Sequence, residues 1–331
     1  MNKFTKTMLA AAMAAVTAAS AGAQSIDDPS RAGFYENAKG KTVAFVPLAM
    51  GFDLTEGWAA VMKAQADRLG MNFVIRDPNW STDAGAQAIT SLIAEKPDVI
   101  VVHNPDVQSY ARLLKRAEDA GIKVVQVNMK SSYPTDFYVG ADWVGIGRAQ
   151  AEAAVAQCGE GTSKKIQIVQ GVLTAAASAY SMKGVEEVLA ENPDIQVVSQ
   201  QAADWDSTKA RNITATVLQQ HPDLCASIGF WDVMDTGTAA AVKEAGANTF
   251  IVTSGGTNEM DCKNVEEGSF GEVVSYNVPG QGRDLNTAIL AALQSEQPAG
   301  TNKVTLYSPI VRVNAETLRP GLCWSMDTVA Q

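Results

Sequence analysis

The sequence has few of the residues from which most catalytic and metal sites are built. Its 331 residues include only two histidines, His103 and His221, and four cysteines, none of them in a CxxC spacing. This pattern argues against a metal centre. The chain also lacks a G-x-S-x-G elbow, a P-loop and an H-E-x-x-H motif, and Gly255-Gly256-Thr257 does not match a dinucleotide fingerprint. We therefore expect a protein that is not an enzyme and needs no metal or cofactor.

Positive charge is also scarce. The chain has 26 Lys and Arg against 36 Asp and Glu, for a formal net charge of −10. A negative surface disfavours nucleic acid and anionic membranes as partners. Beyond the N-terminal segment, no apolar run is long enough to cross a bilayer.

The N-terminal segment has the three parts of a cleavable export signal. Lys3 and Lys6 precede an apolar run, Met8 to Ala19, and Ala21-Gly22-Ala23 offers an A-x-A cleavage site. An uncleaved membrane anchor is disfavoured because about 12 apolar residues cannot cross a bilayer core of about 30 Å. We predict that residues 1–23 are removed after Ala23, that the mature protein is periplasmic, and that residues 24–40 form a leader. Loss of two lysines takes the net charge to −12.

From Thr42 onward, short β-branched runs alternate with helical patterns, which indicates βα units with parallel sheets. Three of the intervening helices are predicted to stop at a glycine, at Gly70, Gly121 and Gly246. The strand runs are largely apolar, as expected where helices cover both faces of a sheet. The predicted strands are Thr42–Pro47, Asn72–Asp77, Val99–Asn104, Lys123–Asn128, Phe137–Ala141, Lys165–Gln170, Ile195–Gln200, Cys225–Phe230, Phe250–Ser254 and Glu272–Asn277, followed by one extended run, Lys303–Val313.

About ten βα units exceed a typical doubly wound sheet, and a break near Asp142 to Gly147 predicts two lobes with a cleft between them. Ligands of such sheets bind beyond the carboxyl ends of the strands. Aromatic residues recur there together with carboxylates and amides, as in Trp205-Asp206 and Phe230-Trp231-Asp232. Indole faces pack against the C–H face of a sugar or polyol, and carboxylates and amides bond its hydroxyls. His103, also at a strand end, is expected to belong to a capped turn rather than to the layer behind a ligand.

These residues resemble the type I periplasmic sugar-binding proteins of ABC transporters, the group typified by ribose-binding protein. The resemblance extends from about Lys41 to Val313. Its most specific stretches are Val43 to Gly70, Gln170-Gly171 with Gly184, Ala203-Asp204-Trp205-Asp206, and His221-Pro222-Asp223 through Trp231-Asp232 to Ala245-Gly246.

The family fold implies two Rossmann-like lobes joined by three hinge crossings, near Ala141/Asp142, Tyr276/Asn277 and Ile310/Val311. It assigns residues 41–141 with 277–310 to a first lobe, and 142–276 with 311–331 to a second. The resemblance further implies a monomer that delivers its ligand to an ABC permease in the inner membrane.

The family's pocket carries over unevenly. The family's asparagine in the first loop is lost, since that loop places Phe52, Leu54 and Thr55 at the matching positions. The aspartate-arginine pair falls on Asn128-Met129, a second arginine on Ser181, and another aspartate on Gly255. Trp205 keeps the aromatic stacking position, and Asp232 lies beside Trp231 where the family has asparagine-aspartate. Tyr276 or Asn277 matches the hinge amide, depending on a slip of one residue.

The joint loss of arginines and a carboxylate is physically coherent, because a buried acid left without its basic partner would be costly. We predict a small neutral polyhydroxy ligand, a sugar or polyol. A small amine stays open, since aromatic boxes with carboxylates also suit cations, and so does a role as the sensing subunit of a membrane receptor or histidine kinase. The predicted ligand contacts are Phe52, Asp53, Asn128, Asp142, Trp143, Ser181, Trp205, Trp231, Asp232, Tyr276 and Asn277.

The four cysteines can form two disulfides in an exported protein, and four thiols allow three pairings. We predict Cys158 with Cys225, joining a helix end to a strand start on the far side of the second lobe. The second predicted pair, Cys262 with Cys323, ties the C-terminal tail down.

Overall fold

Two six-stranded sheets flanked by helices form the part of the chain that the structure describes. The structure is a computed structural model, and it describes residues 28–330. The predicted signal peptide and its cleavage after Ala23 therefore lie outside the described residues.

The first sheet has the strand order β11-β5-β4-β3-β1-β2, and all of its strand pairs are parallel. The second sheet has the order β12-β10-β9-β8-β6-β7, in which only β12 is antiparallel to its neighbour. The strands are β1 Thr42–Val46, β2 Asn72–Ile75, β3 Val99–Val102, β4 Lys123–Val127, β5 Phe137–Gly140, β6 Lys165–Gln170, β7 Gln196–Ala202, β8 Ala226–Gly229, β9 Phe250–Gly255, β10 Glu272–Ser275, β11 Val304–Tyr307 and β12 Val311–Asn314.

Helices connect most successive strands, as the alternating pattern predicts; loops alone join β4 to β5 and β11 to β12. Gly70, Gly121 and Gly246 follow three of them with positive φ values of 68°, 87° and 60°, which confirms the predicted glycine stops. The helices are α1 Pro29–Ala38, α2 Asp53–Leu69, α3 Thr82–Glu95, α4 Ala111–Asp119, α5 Trp143–Gln157, α6 Ala176–Glu191, α7 Ser207–Gln220, α8 Asp232–Ala245, α9 Glu259–Glu266 and α10 Val278–Gln294.

The chain passes between the sheets three times. It leaves the first sheet after β5, returns after β10 by way of α10, which packs on α2, and leaves again between β11 and β12. The predicted single run Lys303–Val313 is therefore wrong in one respect, because it divides into two strands that belong to different sheets. The sheets confirm the predicted fold class of two parallel α/β lobes, while the residue boundaries of the lobes stay a prediction.

Burial follows the position of a strand in its sheet. The central strands β1, β3, β8 and β9 are buried along nearly their whole length, because helices cover both faces. The edge strands β2 and β7 are largely exposed or half-buried, so the expectation of apolar strands throughout does not hold for them.

Both predicted disulfides are present. Cys158, at the end of α5, is bonded to Cys225, which precedes β8, and Cys262 in α9 is bonded to Cys323 in the C-terminal tail. Within residues 28–330, no helix is long and apolar enough to cross a membrane.

Candidate ligand-binding site

Four aromatic side chains meet where the carboxyl ends of the two sheets face each other. Phe52 and Trp80 follow strands β1 and β2 of the first sheet, and Trp205 and Trp231 follow β7 and β8 of the second. Phe52 stacks on Trp80 with ring centroids 5.4 Å apart, and it meets Trp231 edge-on at 5.7 Å. Trp231 also meets Trp205 edge-on at 6.2 Å. This aromatic cluster, defined by these four residues, closes the cleft between the lobes.

A small cavity lies behind the aromatic cluster. Its volume is about 40 Å³, room for only a few water molecules. Apolar and aromatic side chains make up most of its wall, and His103 and Asn128 are the polar ones. The lining residues are Leu48, Phe52, Leu54, Trp80, His103, Asn128, Met129, Trp143, Ala177, Trp205, Phe230, Trp231 and Tyr276.

His103 and Asn128 follow neighbouring strands, β3 and β4, of the first sheet. Burial lowers the pKa of His103 to about 3, against a smaller opposing effect of the Asn128 side chain, so the imidazole is neutral. Neither ring nitrogen has a hydrogen-bond partner among the described residues, and Trp58 packs edge-on against the ring at 5.1 Å. His103 therefore presents one donor and one acceptor that the protein itself leaves unused. The expectation that it belongs only to a capped turn is wrong, because it lines the cavity.

The main chain of Asn128 anchors two aromatic rings. Its backbone has a positive φ of 59°, and its carbonyl oxygen accepts hydrogen bonds from the Tyr138 hydroxyl at 2.7 Å and from Trp143 Nε1 at 2.8 Å. Trp143 begins α5 of the second lobe, so this bond joins the lobes at the base of the cleft. The Asn128 side chain remains at the cavity wall.

A second cavity lies on the other side of Phe52 and Trp231 and has a volume of about 190 Å³. It shares Phe52, Leu54, Trp231 and Tyr276 with the first cavity, and its acidic side chains are Asp53 and Asp232. No Lys or Arg occurs among the described residues that line either cavity. The remaining lining residues of the second cavity are Val233, Gly256, Asn258, Met260, Val278 and Trp324.

Asp232 belongs to a buried group of carboxyls in the second lobe. It begins α8 and accepts a hydrogen bond from Val233 N at 2.8 Å, and burial raises its pKa to about 6. Burial, together with the charge of Asp232, raises the pKa of Asp261 well above its usual range. Burial thus favours the protonated form of both carboxyls, and the charge of Asp232 adds to this effect at Asp261.

Gly255 explains how two acids fit here. A Cβ at this position would lie 2.8 Å from a carboxyl oxygen of Asp232 and 2.8 Å from one of Asp261. The carboxyl groups of α8 and α9 thus occupy the space that a side chain at position 255 would need. The ribose-type family has an aspartate at this position.

Three of the predicted contacts line neither cavity. Asp142 caps α5 by accepting a hydrogen bond from Gly145 N at 3.1 Å, and Asn277 caps α10 in the same way through Gly280 N at 3.1 Å. Ser181 is buried between α6 and α5, where its backbone lies against Gly147. Two of these residues cap helices and the third packs between two helices, so none of the three lines either cavity.

The other eight predicted contacts lie together around the two cavities. Phe52, Trp231 and Tyr276 line both cavities; the first cavity adds Asn128, Trp143 and Trp205, and the second adds Asp53 and Asp232. Their contact with a ligand stays a prediction. The sequence interpretation did not include Trp80, His103 and Trp324 among the wall residues. Trp80 and His103 follow strands, and Trp324 follows a cysteine, so the sequence held a pattern that could have identified each of them.

Comparisons with known proteins agree with this architecture. A profile described as the periplasmic binding protein domain matches residues 43–297. The ribose import binding protein RbsB of Bacillus subtilis is 24% identical over 199 residues, which cover 60% of this chain and 64% of the relative. The galactofuranose-binding protein YtfQ of Escherichia coli is 26% identical over 216 residues, covering 60% and 67%.

A solved structure extends the likeness in fold. It is an ABC transporter solute-binding protein from Burkholderia graminis in complex with D-arabinose, with a TM-score of 0.74 and 22% identity, covering 84% of this chain and 96% of that one. The family consists of binding proteins rather than enzymes. Because the family profile spans most of the chain, this protein belongs to the periplasmic binding protein domain family.

Proposed function

We propose that this protein is the periplasmic solute-binding component of an ABC importer, and that it binds a neutral sugar or polyol between its lobes. The observation that carries the proposal is the chemistry of the two cavities. Aromatic faces from both lobes surround a few neutral or acidic acceptors, and basic side chains are absent from the described lining residues. Phosphorylated and carboxylated ligands would lack a counter-charge there, whereas hydroxyls find acceptors.

The proposed mechanism is capture by closure. The ligand enters while the lobes are apart, and Trp205, Trp231 and Phe52 contact its carbon skeleton. Asp232, Asn128 and the neutral His103 then bond its hydroxyls, and closure excludes water. The closed form is the one that a permease in the inner membrane would recognise. Export with cleavage after Ala23, and function as a monomer, are parts of the same proposal.

The sugars in the names of the relatives guide the choice of test compounds. The mature chain from Gln24 should be screened by thermal shift against D-ribose, D-allose, D-arabinose, D-tagatose, xylitol, myo-inositol and a small amine, because a ligand that binds only the native state raises Tm. We expect at least one neutral polyhydroxy compound to raise Tm. A shift with the amine alone would contradict the proposed ligand class.

Substitutions then test the site. Trp205→Ala and Asp232→Ala should each abolish the shift, because one removes a stacking face and the other a buried acceptor. Tyr35→Ala is the matched control, since this aromatic side chain is 45% exposed on α1 and lines neither cavity. Full affinity in both site variants would refute the location.

A further inference from the structure

The C-terminal tail runs from the second lobe towards the cleft. We call residues 323–329 the C-terminal strap. Cys323 is bonded to Cys262 of α9, and the next residue, Trp324, pairs with Asn258 in an isolated parallel bridge. Trp324 N donates to the carbonyl of Thr257 at 3.0 Å, and Ser325 to Val329 close a turn whose last residue is buried in the core. The strap is thus held at both ends.

Trp324 reaches across from the second lobe to the first. Its indole Nε1 donates to the carbonyl of Gly256 at 2.8 Å, which fixes the ring plane, and the residue is 6% exposed. A Cβ on Gly57, in α2 of the first lobe, would lie 2.9 Å from Trp324 Cη2. The absence of a side chain at Gly57 therefore allows the indole edge to lie against the helix.

The same indole forms a wall of the second cavity. Asp53 from the first lobe and Asp232 from the second face this cavity, and Asn258 Nδ2 donates to Asp53 Oδ2 at 3.0 Å. An apolar indole face beside two carboxyls is suited to the C–H face and hydroxyl donors of a polyhydroxy group. The strap thus contacts α2 of the first lobe and the segment from Gly256 to Asn258 of the second lobe.

We infer that the C-terminal strap is part of the ligand-binding site. The carbon skeleton of a polyhydroxy group packs against Trp324, which forms one wall of the second cavity, and its hydroxyls face Asp53 and Asp232. The Cys262–Cys323 disulfide holds Trp324 in place. The identity of the ligand rests on the proposed function, but the contact between the strap and the first lobe does not. Ligand affinity therefore depends on the oxidation of this disulfide.

The second disulfide of the chain provides a matched control. Cys225 N donates to Lys165 O, and Phe250 N donates to Cys225 O, so this bond lies at the amino ends of strands β6, β8 and β9. The ligand site lies at the opposite, carboxyl ends. Removing Cys158–Cys225 removes a disulfide of similar loop length from the same lobe, with sequence separations of 67 and 61 residues, and leaves the strap intact.

The experiment compares the paired variants C262S/C323S and C158S/C225S with Trp324→Ala and Trp324→Phe. Affinity for the compound of the sugar and polyol panel that raises Tm most is measured by calorimetry. We expect C262S/C323S and Trp324→Ala to weaken binding about tenfold or more, as loss of a central aromatic contact does. C158S/C225S should stay within about twofold, and Trp324→Phe should restore part of the loss.

Hydrogen exchange provides a readout that needs no ligand. Amides of α2 around Gly57 should exchange faster in Trp324→Ala and C262S/C323S than in the wild type or C158S/C225S. If no panel compound binds the wild type, the proposed ligand class fails, and this exchange comparison still decides whether the strap supports the first lobe. If C262S/C323S does not fold, the two Trp324 variants, which keep the disulfide, decide the question.

Gly57→Ala approaches the same contact from the first lobe. Its added Cβ would lie 2.9 Å from Trp324 and 3.0 Å from Val278, so it should weaken binding in the wild-type background. The loss should be smaller in Trp324→Ala, where one of these two close contacts is removed. Unchanged affinity and unchanged exchange in Trp324→Ala and C262S/C323S would overturn the inference. Equal losses in C262S/C323S and C158S/C225S would also overturn it, because the effect would then belong to disulfides in general.

Discussion

Asp235 is a fully buried carboxyl group on α8 that forms no ion pair within residues 28–330. It accepts hydrogen bonds from Thr253 Oγ1 at 2.6 Å and Thr238 Oγ1 at 3.1 Å, and a Cβ on Gly229 would lie 1.8 Å from its Oδ2. Burial outweighs these bonds and raises the pKa of Asp235 to about 7. The folded protein therefore holds this proton more tightly than the unfolded chain does.

This shift predicts a pH dependence of stability with a defined sign. The contribution of Asp235 to stability should fall as the pH rises from about 4 to about 7 and stay constant above that. The unfolded chain loses this proton near pH 4, whereas the folded state keeps it up to about pH 7, so the total loss is on the order of 4 kcal/mol at most. Asp235→Asn cannot titrate. The Tm of Asp235→Asn minus that of the wild type should therefore increase between pH 4 and pH 7, measured by calorimetry. A difference that is constant across this range would contradict the shift.

His103 leads to a prediction about affinity rather than stability. Its buried, unpartnered ring nitrogens face the first cavity, so His103→Ala should weaken sugar or polyol binding about tenfold, and His103→Gln, which keeps a donor and an acceptor, should weaken it less. Because its pKa is about 3, the contribution of His103 should not change between pH 5 and pH 8. The matched control is His221→Gln, which changes the residue that follows α7 and lines neither cavity. Wild-type affinity in His103→Ala would contradict this role.

Helices α5 and α6 approach each other unusually closely at the elements that support the cleft. A Cβ on Gly184 would lie 2.0 Å from Val144 O, and one on Gly147 would lie 2.0 Å from Ser181 O. These are backbone contacts, which cannot move aside as a flexible side chain does. Ser181 is buried in this interface and lies against Gly147 with its backbone.

Gly184→Ala should therefore destabilise the protein by about 1–3 kcal/mol and lower Tm by roughly 2–12 °C, despite the better helix propensity of alanine. Gly33→Ala is the matched control, because Gly33 lies within α1 and a Cβ there would meet nothing within 4 Å. Differential scanning calorimetry of both variants measures the contrast. Equal Tm values for the two variants would show that α5 and α6 can separate at little cost.

The sequence predicts strands and helices more accurately than it predicts the residues that line the cavities. Lys165–Gln170 is predicted to the residue, and most other strands to within one or two, because β-branched runs between turn residues encode local structure. Lys303–Val313 remains one run in the sequence because nothing local distinguishes the partner sheet, and only pairing with β5 and β10 divides it.

The predicted site residues also divide into those whose position follows from the strand pattern and those whose position does not. Trp205 and Trp231 are correctly placed at the cavities because position beyond a strand determines where they lie. Asp142 and Asn277 satisfy the same rule, yet each also precedes a helix, and capping takes up its side-chain oxygen. His103 and Trp80 depend on which way a single loop residue points, which the strand-end rule does not specify.

The two lobes touch through few polar contacts. Val107 N, after β3, donates to Thr174 O, after β6, at 3.2 Å, and Asn258 bonds Asp53. Trp143 Nε1 donates to Asn128 O at 2.8 Å, and Phe52 meets Trp231 edge-on across the cleft. Such an interface separates without breaking many bonds, so closure can be governed by what fills the cleft.

The closed conformation leaves about 40 Å³ behind the aromatic cluster, so a sugar ring cannot enter unless the lobes separate. A disulfide engineered between the lobes tests whether they must separate for ligand to enter. Val107 is partly exposed and Thr174 is exposed, and the backbone N of Val107 lies 3.2 Å from the backbone O of Thr174, which makes this pair a candidate for an engineered disulfide. Oxidised V107C/T174C should fail to bind the panel compound that the wild type binds, since ligand would have no entry. V107C and T174C alone are the matched controls and should bind normally, measured by calorimetry. Binding by the oxidised double variant with an association rate like that of the single variants would mean that ligand reaches the site without separation of the lobes.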